Sequence, residues 1–175
     1  PPAINVVAGE RHTCALSEDN EVRCWGRGDQ GQLGTGNRQS LGDSPGEIEA
    51  LSPIAFPPNT RVIQLSAGAR HTCALAEDGA IYCWGANHRG QLGINNADNI
   101  GDDILEMGRD LIAVRFDSAA ALVQAGGAHT CALLLNGNLH CWGDNSDGQL
   151  GLGIDQLAVA DAAGEIENLA RRISL

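Results

Sequence analysis

AGERHTCALSEDNEVRCWG from Ala8, AGARHTCALAEDGAIYCWG from Ala67 and AGGAHTCALLLNGNLHCWG from Ala125 are three copies of one pattern. They begin 59 and 58 residues apart, and a GQLG segment follows each, at Gly31, Gly90 and Gly148. A fixed period of this length marks a supersecondary unit that buries its apolar faces by stacking on its neighbours. Within each copy the pattern is β. The loops Glu18-Asp19-Asn20, Glu77-Asp78-Gly79 and Leu135-Asn136-Gly137 end in Asn or Gly, which tolerate the left-handed conformation that closes a three-residue hairpin. Folding each copy about its loop sets Cys14 opposite Cys24, Cys73 opposite Cys83 and Cys131 opposite Cys141. The same register pairs Leu16 with Val22, Leu75 with Ile81 and Leu133 with Leu139. On the other face it pairs Thr13 with Trp25, Thr72 with Trp84 and Thr130 with Trp142. One register that gives compatible pairs three times over specifies a hairpin.

Two further strands per unit are expected. One precedes the Ala-Gly step, over 5–8, 62–67 and 121–125. The other lies in the variable stretch, near 46–51, 109–114 and 164–169, where GEIEAL from Gly46 and GEIENL from Gly164 still match. No segment has the pattern of an amphipathic helix. Sheets with apolar residues on both faces need cover on both sides, and radial stacking supplies it while leaving only short edges. The expected fold is therefore all-β: three four-stranded antiparallel blades of a propeller. They make one propeller segment over 1–175, with units at about 3–61, 62–120 and 121–175.

Charge narrows the function. Of 175 residues, 22 are acidic and 11 basic, a net charge of −11, and every basic residue is Arg. An acidic surface without a basic cluster argues against nucleic acid as a partner. No apolar run approaches the ~20 residues of a membrane span, so membrane insertion is not expected. A chain that opens Pro1-Pro2 and whose single Met is Met107 is expected to be processed, or excerpted from a longer polypeptide.

At the Ala-Gly step, HTCAL, CWG and GQLG, the chain resembles the regulator of chromosome condensation repeat family, in a form with paired cysteines. The resemblance covers essentially the whole chain and implies a β-propeller built from four-stranded blades. The units are longer than is typical of that family, with the excess at 41–60 and 99–118, expected to be extended loops on one face. Propellers have about 4–8 blades. Arg171-Arg172-Ile173-Ser174-Leu175 matches Arg61-Val62-Ile63-Gln64-Leu65, where a new unit begins. Further blades, from the same polypeptide or from other copies, are expected to cover the open blade faces.

Six cysteines ten residues apart in pairs are expected to form the disulfides Cys14–Cys24, Cys73–Cys83 and Cys131–Cys141, because the hairpin register puts partners face to face. Buried reduced thiols are the alternative. Zinc lacks its usual CxxC or HxxxH spacing. Disulfides imply an oxidising compartment, so an extracellular, cell-surface or periplasmic location is expected.

The remaining chemistry is weighed against this periodicity. His12, His71 and His129 recur in register, so rotation about a propeller axis separates them; they are expected to brace strands against neighbouring turns rather than to bind a metal. Trp25, Trp84 and Trp142 are expected to pack blades. GRGDQG at 26–31 lacks the Lys-Ser/Thr ending of a phosphate loop, and Arg27-Gly28-Asp29 is not preserved in the other units. Oxygen-rich loops at 95–103 (Asp98, Asp102, Asp103) and 144–148 (Asp144, Asp147) raise calcium as a weaker alternative to ordinary turns. No nucleophile elbow or converging carboxylate pair is evident. No catalytic residue, cofactor or metal is expected. What is left for function is binding by loops on a rigid scaffold. The expected role is a non-enzymatic protein-binding or structural module, using 41–60 and 95–118, with a protein partner whose surface is basic or neutral. The alternatives are a secreted inhibitor or receptor domain that captures one protein, and a glycan-binding or polysaccharide-active propeller.

Overall fold

The computed structural model describes residues 1–153 and 158–160. Its strands fall into three antiparallel sheets, one for each sequence copy. The first holds β1 (Ala3–Ala8), β2 (His12–Ser17) and β3 (Val22–Gly26) in that order. The second holds β4 (Val62–Ala67), β5 (His71–Ala76), β6 (Ile81–Gly85) and β7 (Ala113–Val114). The third runs β8 (Ala120–Ala125), β9 (His129–Leu134), β10 (Leu139–Asp144) and β11 (Ala158–Val159). The one helical element among the described residues is a 3-10 turn at Gly108–Asp110.

Each central hairpin closes as its loop chemistry dictates. Asn20, Gly79 and Gly137 take positive φ of 63°, 84° and 83°, the left-handed geometry that ends a three-residue loop. The register pairs Cys14 with Cys24, Thr13 with Trp25 and Leu16 with Val22, and repeats in the other two sheets. The sheets stack face to face, with β1 packed on β4 and β4 on β8. Two apolar layers result. Cys14, Leu16, Val22 and Leu33 meet Val62, Leu65, Ala74 and Trp84 in the first. Cys73, Leu75, Ile81 and Leu92 meet Val123, Ala132 and Trp142 in the second.

The outer strand departs from expectation. Among the described residues the first sheet has three strands, not four. Residues 46–50 form turns, because Glu47 folds back and its Oε2 accepts the amides of Gly42, Asp43 and Ser44 at 2.7, 3.1 and 3.1 Å. Further on, Ile54 donates one backbone bond to the Val22 carbonyl at 2.8 Å. The Leu51 carbonyl is taken by the Arg23 guanidinium at 3.0 Å, a side-chain bond where a fourth strand would make a backbone one. In the second sheet only Ala113 and Val114 pair, preceded by the 3-10 turn. In the third, β11 lies opposite Gly143 and Asp144. Leu41 and Ile100 hold that position as single bridges opposite Gly26 and Gly85. The strand expected at 164–169 lies outside the described residues.

Candidate functional site

Three disulfides, Cys14–Cys24, Cys73–Cys83 and Cys131–Cys141, each cross one hairpin. The paired Cα atoms are 4.1 Å apart, the spacing of an antiparallel rung without backbone hydrogen bonds, where side chains lie closest. No described cysteine is free.

The recurrent polar residues work between sheets rather than within them. His12 Nε2 lies 2.8 Å from Thr72 Oγ1, and His71 Nε2 lies 2.9 Å from Thr130 Oγ1. Each Thr hydroxyl donates onward to a main-chain carbonyl of the preceding sheet's GQLG segment: Thr72 to Gln32 at 3.4 Å, Thr130 to Gln91 at 2.9 Å. The same carbonyls accept Trp84 Nε1 at 3.1 Å and Trp142 Nε1 at 3.0 Å. Histidine is thus braced by the threonine of the next sheet, not by a turn of its own unit. The close approach depends on the Ala-Gly step. A Cβ at Gly9 would lie 2.2 Å from His12 Cε1 and 2.5 Å from the Gly68 carbonyl oxygen.

This chain of donors sets the histidine tautomer. Since each Thr hydroxyl is spent on a carbonyl, the ring must donate through Nε2–H, leaving Nδ1 as a bare lone pair. His12 Nδ1 and His71 Nδ1 are buried without a partner. A second proton there would have no acceptor. Burial accordingly lowers the His12 pKa to about 4. Burial, with smaller contributions from His12 and His129, lowers that of His71 to about 3. Burial also lowers His140, opposed by Asp117.

The joint is formed twice and left open at the outer faces. Among the described residues, the Thr13 hydroxyl and the Trp25 indole have no hydrogen-bond partner, and His129 faces no following Thr. Val6 is 64% exposed, whereas its counterparts Leu65 and Val123 are 3% and 0% exposed. The first sheet therefore presents a ready leading face, with the residues that the other two sheets bury.

The variable stretches 41–60 and 95–118 meet across the first joint. Gly36 N–H donates to Gly101 O at 3.1 Å and Gly108 N–H to Ala55 O at 3.0 Å. Arg38 pairs with Asp102 at 2.7 Å. Glu106 repeats the Glu47 device, accepting the amides of Gly101, Asp102 and Asp103 at 2.8, 3.1 and 2.9 Å. A signal for it stands in the sequence: Gly42-Asp43 with Glu47 and Gly101-Asp102 with Glu106 share the 59-residue offset.

Several residues singled out by sequence turn out to be internally occupied. Arg27 pairs with Asp29 at 2.6 Å within the Arg-Gly-Asp tripeptide. In the oxygen-rich loops, Asn96 Oδ1 accepts from Asn87 and Asp98, and Asp144 Oδ2 accepts from Ser146 and Gln149. Among the described residues no three His, Cys, Asp or Glu side chains are placed to hold a metal ion, and no helix is long and apolar enough to cross a membrane.

Hairpin sheets stacked through a repeated His–Thr–Trp–Gln joint define a β-propeller of a particular repeat. The Regulator of chromosome condensation (RCC1) repeat matches residues 3–32, 62–91 and 121–149, and a second description of the same repeat matches 19–75. The chain belongs to the RCC1-repeat family. It is 36% identical over 147 residues to human probable E3 ubiquitin-protein ligase HERC6, over 84% of this chain and 13% of that protein. To the ultraviolet-B receptor UVR8 of Arabidopsis thaliana it is 33% identical over 150 residues, 85% of this chain and 31% of that one. The crystal structure of Prp20p from Saccharomyces cerevisiae, a protein with binding properties to Gsp1p and histones, matches with a TM-score of 0.69. That match has 26% identity and covers 91% of this chain and 37% of Prp20p. The chain thus spans well under half the length of these relatives.

Proposed function

We propose that this RCC1-repeat segment is a protein-binding scaffold without catalysis of its own, working outside the cytosol. One observation carries the reading: the repeated side chains are spent on joints between sheets, while the acidic stretches 41–60 and 95–118 differ from unit to unit. Variable loops on a rigid frame are where specificity is placed. The protein-binding character of Prp20p supports it. HERC6 is named as a ligase, but the chain corresponds to 13% of that protein. The three disulfides support an oxidising compartment, extracellular, at a cell surface or periplasmic. Further blades, from the same polypeptide or from other copies, cover the leading face that Val6 and Trp25 expose.

Cross-linking in the native source tests the reading. A protein partner should cross-link to 41–60 or 95–118. Cross-links confined to other surfaces, or a glycan as the bound species, would overturn it. Intact mass tests the compartment: alkylation should leave the native protein unchanged and add six groups after reduction.

A further inference from the structure

An open groove of about 460 Å3 lies where the two variable stretches meet. Residues 34–37, Leu41, Glu47 and residues 50–55 line it together with Ile104 and Met107 from the second unit. Leu41, Leu51 and Ile54 make the lining apolar, and the volume is in the range of sites that take a ligand. The groove is preformed. The Gly36–Gly101 and Gly108–Ala55 backbone bonds and the Arg38–Asp102 ion pair hold its two sides across the joint. Gly36 admits the second loop: a Cβ there would lie 3.0 Å from Ile104 Cα, and φ is +72°.

Two features say what enters. Ile104 is 80% exposed and the adjoining Leu105 74% exposed, a costly display of aliphatic surface on a loop this firmly held. The surroundings are acidic. Residues 41–60 carry Asp43, Glu47 and Glu49 with no basic residue, and 95–118 carry six carboxylates against Arg109 and Arg115. Glu49 and Asp103, each next in sequence to a lining residue, are exposed and have no cationic partner among the described residues. We infer that the groove seats an extended segment of a partner protein, with a large apolar side chain in the groove and Arg or Lys on either side of it. The inference rests on the protein-binding reading above and names the chemistry of the partner.

The test is an NMR titration of the full chain at ~150 mM salt, with the peptide Arg-Arg-Leu-Phe-Arg-Arg as probe. Saturable binding should shift amides at 34–37, 50–55 and 103–107. Replacing Leu-Phe by Ala-Ala, or every Arg by Glu, should weaken binding by about tenfold or more. Ile104→Ser, which removes exposed surface, and Ser52→Trp, which fills the groove from an exposed position, should each do the same. Absence of saturable binding overturns the inference. So do equal binding of the Ala-Ala peptide, shifts spread over the whole acidic surface, or indifference to both variants. Groove shifts that depend on protein concentration without peptide would make the occupant a second copy, and also overturn it. If a native partner cross-links to the loops while the peptide leaves the groove unmoved, the groove fails and the protein-binding reading stands. If the peptide binds as described but no partner reaches the loops, the reverse holds.

Discussion

The joint between sheets and the loops beside it are built from the same repeat by opposite rules. At the joint, His12–Thr72 and His71–Thr130 are the same bond made twice, and Gln32 and Gln91 present the same carbonyl to Trp84 and Trp142. A dry, crowded contact tolerates little change, since an unpaired polar group there costs about 1–3 kcal/mol. In the loops, one strongly placed side chain, Glu47 or Glu106, fixes the turn and the rest is free to differ. Periodicity therefore reports where water is excluded. Variation reports where that constraint is lifted.

The sharpest way to break this comparison is at tryptophan. Trp84 is fully buried at a joint and packs edge-on against Phe56 at 5.7 Å. Trp25 holds the same place in the first unit but is only half-buried on the leading face. Trp84→Ala should cost about 4 kcal/mol in urea unfolding, a large aromatic lost together with its N–H bond. Trp25→Ala should cost about half of that or less in this chain. Equal costs would mean that the hairpin, not the joint, is the energetic unit.

Next in size is the sulfur bridge, which links two strands of one sheet although its sulfurs pack in the layer between sheets. Replacing both Cys73 and Cys83 by Ala should cost about 2–3 kcal/mol, the chain-entropy value for a short closed loop. Hydrogen exchange should rise within 71–85. If the Trp142 indole N–H lost protection as much as the hairpin, the disulfide would be supporting the joint as well.

What was legible in the sequence follows the same boundary. The hairpin register, the cysteine pairing and the positive-φ positions could be read because each is decided within twenty residues and tested three times. The joint was half legible. The recurrence marks His12, Thr72 and Trp84, but a residue with period 59 pairs equally well on paper within its own unit or with the next. Only packing decides for the next. The outer strand expected at 46–51 rests on the repeat match of GEIEAL to GEIENL alone, which carries no fold information by itself. Its Glu47 instead satisfies three amides at once, which a single bridge at Leu41 leaves room for. The groove was invisible because its walls come from two units.

Acid sharpens the comparison further. The buried neutral rings of His12 and His71 have pKa values of about 4 and about 3 when folded, against about 6.5 unfolded. Below 6.5 the unfolded chain takes up protons that the folded chain refuses. Stability is thus complete above that value and falls with pH down to the folded values. Between pH 7 and 5.5, above most carboxylate titrations, each ring should remove roughly 1 kcal/mol. A His12→Asn/His71→Asn chain should start less stable at pH 7 but lose this slope. A slope that persists would put the pH dependence elsewhere than in the joint.

The smallest effect belongs to the loops, and its smallness is the point. Glu47→Ala removes three hydrogen bonds, yet all three amides it caps lie on an exposed turn outside both apolar layers. Global unfolding should therefore stay within about 0.5 kcal/mol, as for surface positions generally. The amides of Gly42, Asp43 and Ser44 should lose their exchange protection. Those backbone bonds hold the Glu47 carboxyl below the usual carboxylate range. The turn should consequently stay ordered where an ordinary Glu is half-protonated, and loosen only as pH falls through the lowered value. An Ala variant whose Tm dropped like that of a joint variant would show the loops to be part of the frame, and the separation of scaffold from recognition surface would fail.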